Sequence, residues 1–246
     1  MMRPHTFLCF GLAALLTASV TPRPTHALDR ADERAREALE VLSPTVTHSS
    51  DPGALAMAFT AYYRYRDAHP SAVRNPYLFF VDFGLNNGEP RGYVFDMDAL
   101  TLVDGPFTVA HGSGSGPRLG TPSHFSNRSG SHATSLGLYL TQETYTFRGR
   151  SGGRTHTSVG LRLQGVSGRF NSAARRRGVV AHGAPYVTHS KAGRSHGCPA
   201  IEMARARRLL PMIANGGMVF HYSPRDRDWL ANAPWARSDD LAGAPD

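Results

Sequence analysis

Cysteine is scarce in this chain: Cys9 and Cys198 are the only two in 246 residues. That excludes a disulfide-stapled miniprotein and any site of the Cys-x-x-Cys type. Charge is sparse at 19% and hydrophobic residues make up 41%, which excludes intrinsic disorder. No internal repeat is visible, and no strict period of the collagen or coiled-coil kind. The one long apolar run, Thr6 to Val20, is too short to cross a bilayer comfortably. What the chain does have is 25 Gly and 17 Pro, favouring a turn-rich, strand-rich body over a helical bundle.

The apolar run has the form of a secretory signal. Arg3 precedes it, and Thr25-His26-Ala27 follows with small residues where a signal peptidase reads, so cleavage is expected after Ala27. A lipoprotein signal is rejected because Cys9 lies inside the run rather than at its end. The expected compartment is exported, periplasm or cell envelope, with no stable membrane insertion after cleavage. Removal of Arg3 and Arg23 lowers the formal charge from +8 to +6. A basic exported protein meets acidic wall polymers or lipid head groups, whereas nucleic acid is not an expected partner there. Good solubility is the plainer reading of the same charge.

Residues Asp29 to Leu42 combine strong helix formers with opposite charges at helical spacing and predict a helix. A second is expected from Asp51, as N-cap before Pro52, to about His69; its Phe59, Tyr62, Tyr63 and Tyr65 are assigned to packing rather than to sugar binding. From Tyr77 the pattern becomes short β-branched and aromatic runs: 78–83 and 92–95 around Asn86-Asn87-Gly88, then 101–103 and 107–110 across Asp104-Gly105. Further strands are expected at 135–141, 159–163, 179–181 and 218–222, with one helix at about 203–214. The fold class is therefore mostly β in a single domain. Residues 112–130 and 148–157 are expected as loops. The first lacks the Gly-Lys-Ser/Thr ending of a phosphate-binding loop, and no nucleotide site is assigned. The boundaries expected are 1–27 signal, 28–75 helical segment, 76–222 main β unit, and a loosely packed tail over 223–246.

Loss of the signal leaves Cys198 alone in an oxidising compartment, unable to pair within its chain. It sits in Gly193-Arg194-Ser195-His196-Gly197-Cys198-Pro199-Ala200, after Val179-Val180-Ala181-His182-Gly183-Ala184-Pro185-Tyr186. Three chemistries fit. As a nucleophile, Cys198 would need the thiolate, with His182 at the end of an apolar strand taking the proton and Gly197 letting free N–H groups approach an oxyanion. As a zinc ligand it would join His182, His189 and His196. As a bystander it would only pack.

The stretch from Tyr77 to Tyr222 resembles the catalytic domain of the murein L,D-transpeptidases (YkuD-like). The resemblance rests on a His-Gly strand end followed by Gly-Arg-Ser-x-Gly-Cys-Pro-Ala, with Val109-Ala110-His111-Gly112, Phe125-Ser126-Asn127, Ser135-Leu136-Gly137, Asn171 and Arg177-Gly178 in order. It implies a β-sandwich-like fold with an N-terminal helical segment and one helix after the cysteine. It also implies Cys198 as nucleophile and His182 as general base, no cofactor and no catalytic metal. His196 is carried as a further catalytic residue, and Arg194, Ser195, Gly197, Gly183 and Tyr186 as substrate-binding residues. The implied substrate is a peptidoglycan stem peptide: a thioester forms at its third residue, and an acceptor amine then gives a 3-3 cross-link. Water in place of the amine would make the site an L,D-carboxypeptidase. A zinc-dependent envelope peptidase and a non-catalytic wall-binding module remain the competing readings. Twelve residues separate His182 from Ser195, a short link that predicts a trimmed covering loop and an open groove.

Overall fold

The computed structural model describes residues 25–236. The signal expected over 1–27 lies, except for its last three residues, outside the described residues. Two helices come first, α1 (Thr25–Leu42) and α2 (Ala54–Ala68). The strands follow as β1 (Tyr77–Asp82), β2 (Gly92–Asp96), β3 (Thr101–Phe107), β4 (His111–Gly112), β5 (Gly137–Ser151) and β6 (Arg154–Gly165). Then come β7 (Val180–Gly183), β8 (Val187–Thr188), β9 (Lys191–Ala192), β10 (Arg194–Ser195) and β11 (Ala200–Ile201). Helix α3 (Met203–Ile213), strand β12 (Met218–Tyr222) and helix α4 (Arg227–Asn232) complete the described chain.

On α1, Ala31, Ala35, Ala38 and Leu42 recur at helical spacing and are all buried, so small side chains let α2 come close. Arg64 of α2 then reaches Asp32 of α1 in a two-pronged pair, Nε to Oδ1 at 2.7 Å and Nη2 to Oδ2 at 2.6 Å. The four aromatic residues of α2 are buried, as their assignment to packing requires. Asp51 acts just ahead of the helix, accepting from Gly53 N at 2.6 Å.

Eight strands form one curled sheet in the order β11-β7-β6-β5-β12-β1-β2-β3. Two-stranded ladders β4–β10 and β8–β9 stand beside it. Alternation along the strands sends Leu78, Phe80, Met218 and Phe220 to the core shared with α1 and α2, and Phe79, Val81 and Val219 to the core capped by α3. The mostly β architecture is thus a sheet covered on both faces by helices.

Three expectations are corrected. A single strand, β3, runs through Asp104-Gly105 where a turn was expected, and it absorbs the irregularity as register shifts against β2. Asp104 is held there by Arg205 and Arg208 of α3. The expected loop 148–157 is instead the end of a long β5–β6 arm, closed by Gly152-Gly153 with φ of +55° and +79°, the left-handed pair a tight hairpin needs. Nor are residues 223–236 loose. Asp226 caps α4 by accepting from Trp229 N at 2.9 Å, Trp229 is fully buried against Phe220 and Tyr222, and Trp235 donates to Val166 O at 2.8 Å. Trp229→Ala therefore costs about 3–5 kcal/mol of stability. Thermal melts are expected to show a Tm lowered on the order of 10 °C, and an unchanged Tm would return this segment to the status of a tail.

Candidate active site

Strand pairing brings the two halves of the site together. β7 runs parallel to β11 with Ala200 opposite His182 and Ile201 opposite Gly183, and the His182 N–H donates to Pro199 O at 3.2 Å. Cys198 lies two residues before β11, in the turn that leads into it, so the thiol-bearing turn and the imidazole-bearing strand are neighbours. The short link between them folds down as the β8–β9 hairpin, whose Val187 and Ala192 pack with Ala110, Ala184 and Ala200. The link is compact, but the groove still has a wall: Phe147 of the β5–β6 arm stands edge-on to His182, ring centres 5.8 Å apart.

The turn carrying the thiol is pinned from inside. Ser195 Oγ donates to Cys198 O at 2.6 Å and accepts from Gly197 N at 3.1 Å. Gly197 adopts φ +113°, and a Cβ there would sit 2.8 Å from Ala133 O, so only glycine fits. Gly197 N–H is thus engaged by Ser195, and Ser195, buried, shapes the turn.

Cys198 is half-buried, and its Sγ lies 3.9 Å from the Gly178 carbonyl, to which the thiol donates. Burial pushes the thiol above its ordinary range, while the Val180 N–H and the Arg177 guanidinium act in the opposite sense by favouring thiolate. Arg177 is held in place by Ser126 O at 2.7 Å and Ala133 O at 2.6 Å, with Ser131 and Ser135 hydroxyls at 3.3 Å. It carried the family resemblance with Gly178 but was given no role in the sequence-derived site.

His182 Nδ1 is 3.2 Å from the Gly183 carbonyl. A carbonyl only accepts, so Nδ1 carries the proton and Nε2 keeps its lone pair. Burial, opposed by that carbonyl and reinforced by His156, holds His182 below its ordinary value of 6.5 and keeps it neutral.

The other sequence-derived residues are distributed as follows. His196 is exposed and stacks on His132, ring centres 4.5 Å apart and 17° from parallel. His189 is exposed in the β8–β9 turn. Exposed Arg194 donates to Gly116 O at 3.1 Å, clamping the neighbouring loop. Gly183 is structural: its carbonyl accepts from Ser158 Oγ at 2.8 Å, and a Cβ there would meet that oxygen and Ala206. Tyr186 lines a depression of about 530 Å³ with Arg118, Leu119 and Lys191. His111 supports the thiol turn from behind. Its Nδ1 accepts from buried Arg91 at 3.1 Å, its Nε2–H donates to Pro117 O at 3.2 Å, and desolvation pushes it down to about 4. Strand β4 thereby sets Gly112 against Gly197.

Among the described residues no group of three or more His, Cys, Asp and Glu side chains is arranged to hold a metal ion. No described helix is long and apolar enough to cross a membrane.

The fold and site define a mostly β domain that presents one histidine from a strand and one cysteine from the neighbouring turn. The L,D-transpeptidase catalytic domain model matches residues 47–222, and the chain belongs to that family. The match begins at Thr47 and so takes in α2 together with the sheet. Among solved structures, the chain is similar to an L,D-transpeptidase from Mycobacterium smegmatis at 14% identity and TM-score 0.38, covering 60% of this chain and 59% of that one. It is similar to one from Stackebrandtia nassauensis at 12% identity and TM-score 0.38, covering 79% and 93%. An Enterococcus faecium L,D-transpeptidase C442S mutant gives 12% identity and TM-score 0.36, covering 60% and 50%. The chain thus spans about three fifths of the length of the first of these. No protein of curated function matches it.

Proposed function

We propose that this protein is an exported cysteine acyltransferase that acts on peptidoglycan stem peptides and forms 3-3 cross-links through a Cys198 thioester. The observation that carries the reading is the β7–β11 pairing, which sets His182, its Nδ1 against Gly183 O, beside the turn that carries Cys198, where Arg177 and the Val180 N–H oppose the burial that raises the thiol. Family membership supports the substrate class.

His182 Nε2 takes the proton of Cys198 Sγ–H as sulfur attacks the carbonyl carbon of the third stem residue at its L-centre. The C–S bond forms; the C–N bond to the terminal D-amino acid then breaks, and that amine leaves with the proton held on His182. In the second half an acceptor side-chain amine attacks the thioester, passes its proton to His182, and the proton returns to sulfur. Arg177 steadies the thiolate in both halves, while Phe147 and the β5–β6 arm limit water beside the imidazole. His196 and Tyr186 are assigned to substrate contact, and Arg194 to the edge of the same groove.

Incubating the protein with disaccharide-tetrapeptide and weighing the products tests the proposal. A cross-linked dimer minus one D-amino acid is the expected result. Tripeptide alone would reassign the site to an L,D-carboxypeptidase, and unchanged substrate with intact protein would overturn catalysis on stem peptides.

A further inference from the structure

A second, charged cavity lies on the far side of the loop that borders the thiol. Its volume is about 610 Å³, and Arg128, Arg169 and Arg176 line it with Asn127, Ser129 and Ser172. Arg169 is engaged with Asp228 at 2.7 Å, at the rim. Arg128 and Arg176 are exposed and have no acidic partner among the described residues, so two guanidinium groups line one open cavity. The floor is rigid: Asn127 bridges the two segments, donating to Arg169 O at 3.0 Å and Ser172 Oγ at 3.2 Å and accepting from Ala173 N at 3.0 Å.

Two segments that line the cavity continue along the chain to the surroundings of the thiol. The loop that lines the cavity at 127–129 carries His132, stacked on His196, and Ala133, which abuts Gly197. Arg176 stands two residues before Gly178, the acceptor of the Cys198 thiol. Two residues of chain span at most about 7 Å. Arg177 lies between, its guanidinium tying Ser126 of the cavity loop to Ala133 of the thiol loop.

We propose that Arg128 and Arg176 form an anion subsite that holds the free carboxylates of a stem peptide engaged at Cys198. The inference rests on the stem-peptide reading above and adds the charge recognition that reading lacked. With the third residue at the sulfur, the stem's carboxylate-bearing neighbours lie one residue away, about 3.5 Å of chain, and Arg176 lies two residues, at most about 7 Å, from the Gly178 that the thiol contacts. Guanidinium forks bind carboxylates in two-point, charge-assisted fashion, so the subsite selects acidic stems over amidated ones.

The test uses Arg128→Gln/Arg176→Gln, with Arg128→Lys/Arg176→Lys as the charge-retaining control and thermal melts to confirm folding. Binding of synthetic tetrapeptide, with free or amidated carboxylates, is measured on Cys198→Ala protein; KM and iodoacetamide alkylation are measured on active protein. Expected are about tenfold weaker binding and a tenfold higher KM in the Gln variant, partial rescue by Lys, weak binding of amidated peptide by wild type, and an unchanged alkylation rate. Equal affinity of wild type and Gln variant for the free-acid peptide would overturn the subsite. So would a polyol phosphate that displaces the peptide at lower concentration and depends on the same arginines, since the anion would then be phosphate. Arginine-dependent peptide binding without any turnover by wild type would uphold the subsite and overturn the transpeptidase reading instead.

Discussion

Cys198→Ala is expected to abolish acyl transfer while the melting profile stays close to wild type. Removing a covalent nucleophile costs several orders of magnitude in rate, whereas a sulfur with only a packing role shifts stability by about 1 kcal/mol. The half-buried position and the long contact to Gly178 make the packing loss small. The measurement is turnover of disaccharide-tetrapeptide beside a thermal melt. A carbapenem gives an independent reading: the strained lactam is expected to add one drug mass to Cys198, seen by intact mass spectrometry and absent from Cys198→Ala. Full turnover by folded Cys198→Ala would sink the mechanism.

His182→Ala is expected to lower turnover by about 10²- to 10⁴-fold, the usual worth of a positioned general base. His189→Ala, altering an exposed turn residue, is expected to behave as wild type, with His196→Ala intermediate. The pH profile adds a sign. Burial holds His182 below 6.5, and the base works only when neutral. The acid limb of kcat/KM therefore falls at a pH below 6.5, and activity is lost as pH drops through that lowered value. Equal losses at all three histidines, together with bound zinc at one equivalent, would favour the metal site weighed from the sequence.

What could be read from the sequence was what lies close together along it. The Ala31–Ala35–Ala38–Leu42 stripe, the β1–β2 hairpin, helix α3 and strand β12 all show their period within a short window. The His-Gly and Gly-Cys segments were equally visible. Their meeting depends on the β7–β11 pairing, and the spacing of residues does not reveal it. Features set by distant partners were hidden. Asp104 looked like a turn residue because Arg205 and Arg208, which hold it in β3, lie about a hundred positions on. The role of Arg177 was hidden because it is fixed chiefly by main-chain carbonyls, which any residue supplies. Trp229 sits among Arg and Asp that face outward while its ring turns in. The arm after Thr144 alternates polar with half-buried residues, so its strand period carries little apolar contrast.

Strand β12 is the last strand in the described chain, yet it lies inside the sheet, antiparallel to β5 on one side and parallel to β1 on the other. A polypeptide emerging from its N-terminus therefore cannot close this sheet until Tyr222 is free. Until then β1-β2-β3 and β11-β7-β6-β5 form two separate pieces, each with an unpaired inner edge that invites pairing with other chains. Contacts spanning about 140 residues must form before the halves join, which places folding in the slow range for non-local topologies. Truncation before Met218 splits the sheet down its middle instead of trimming an edge.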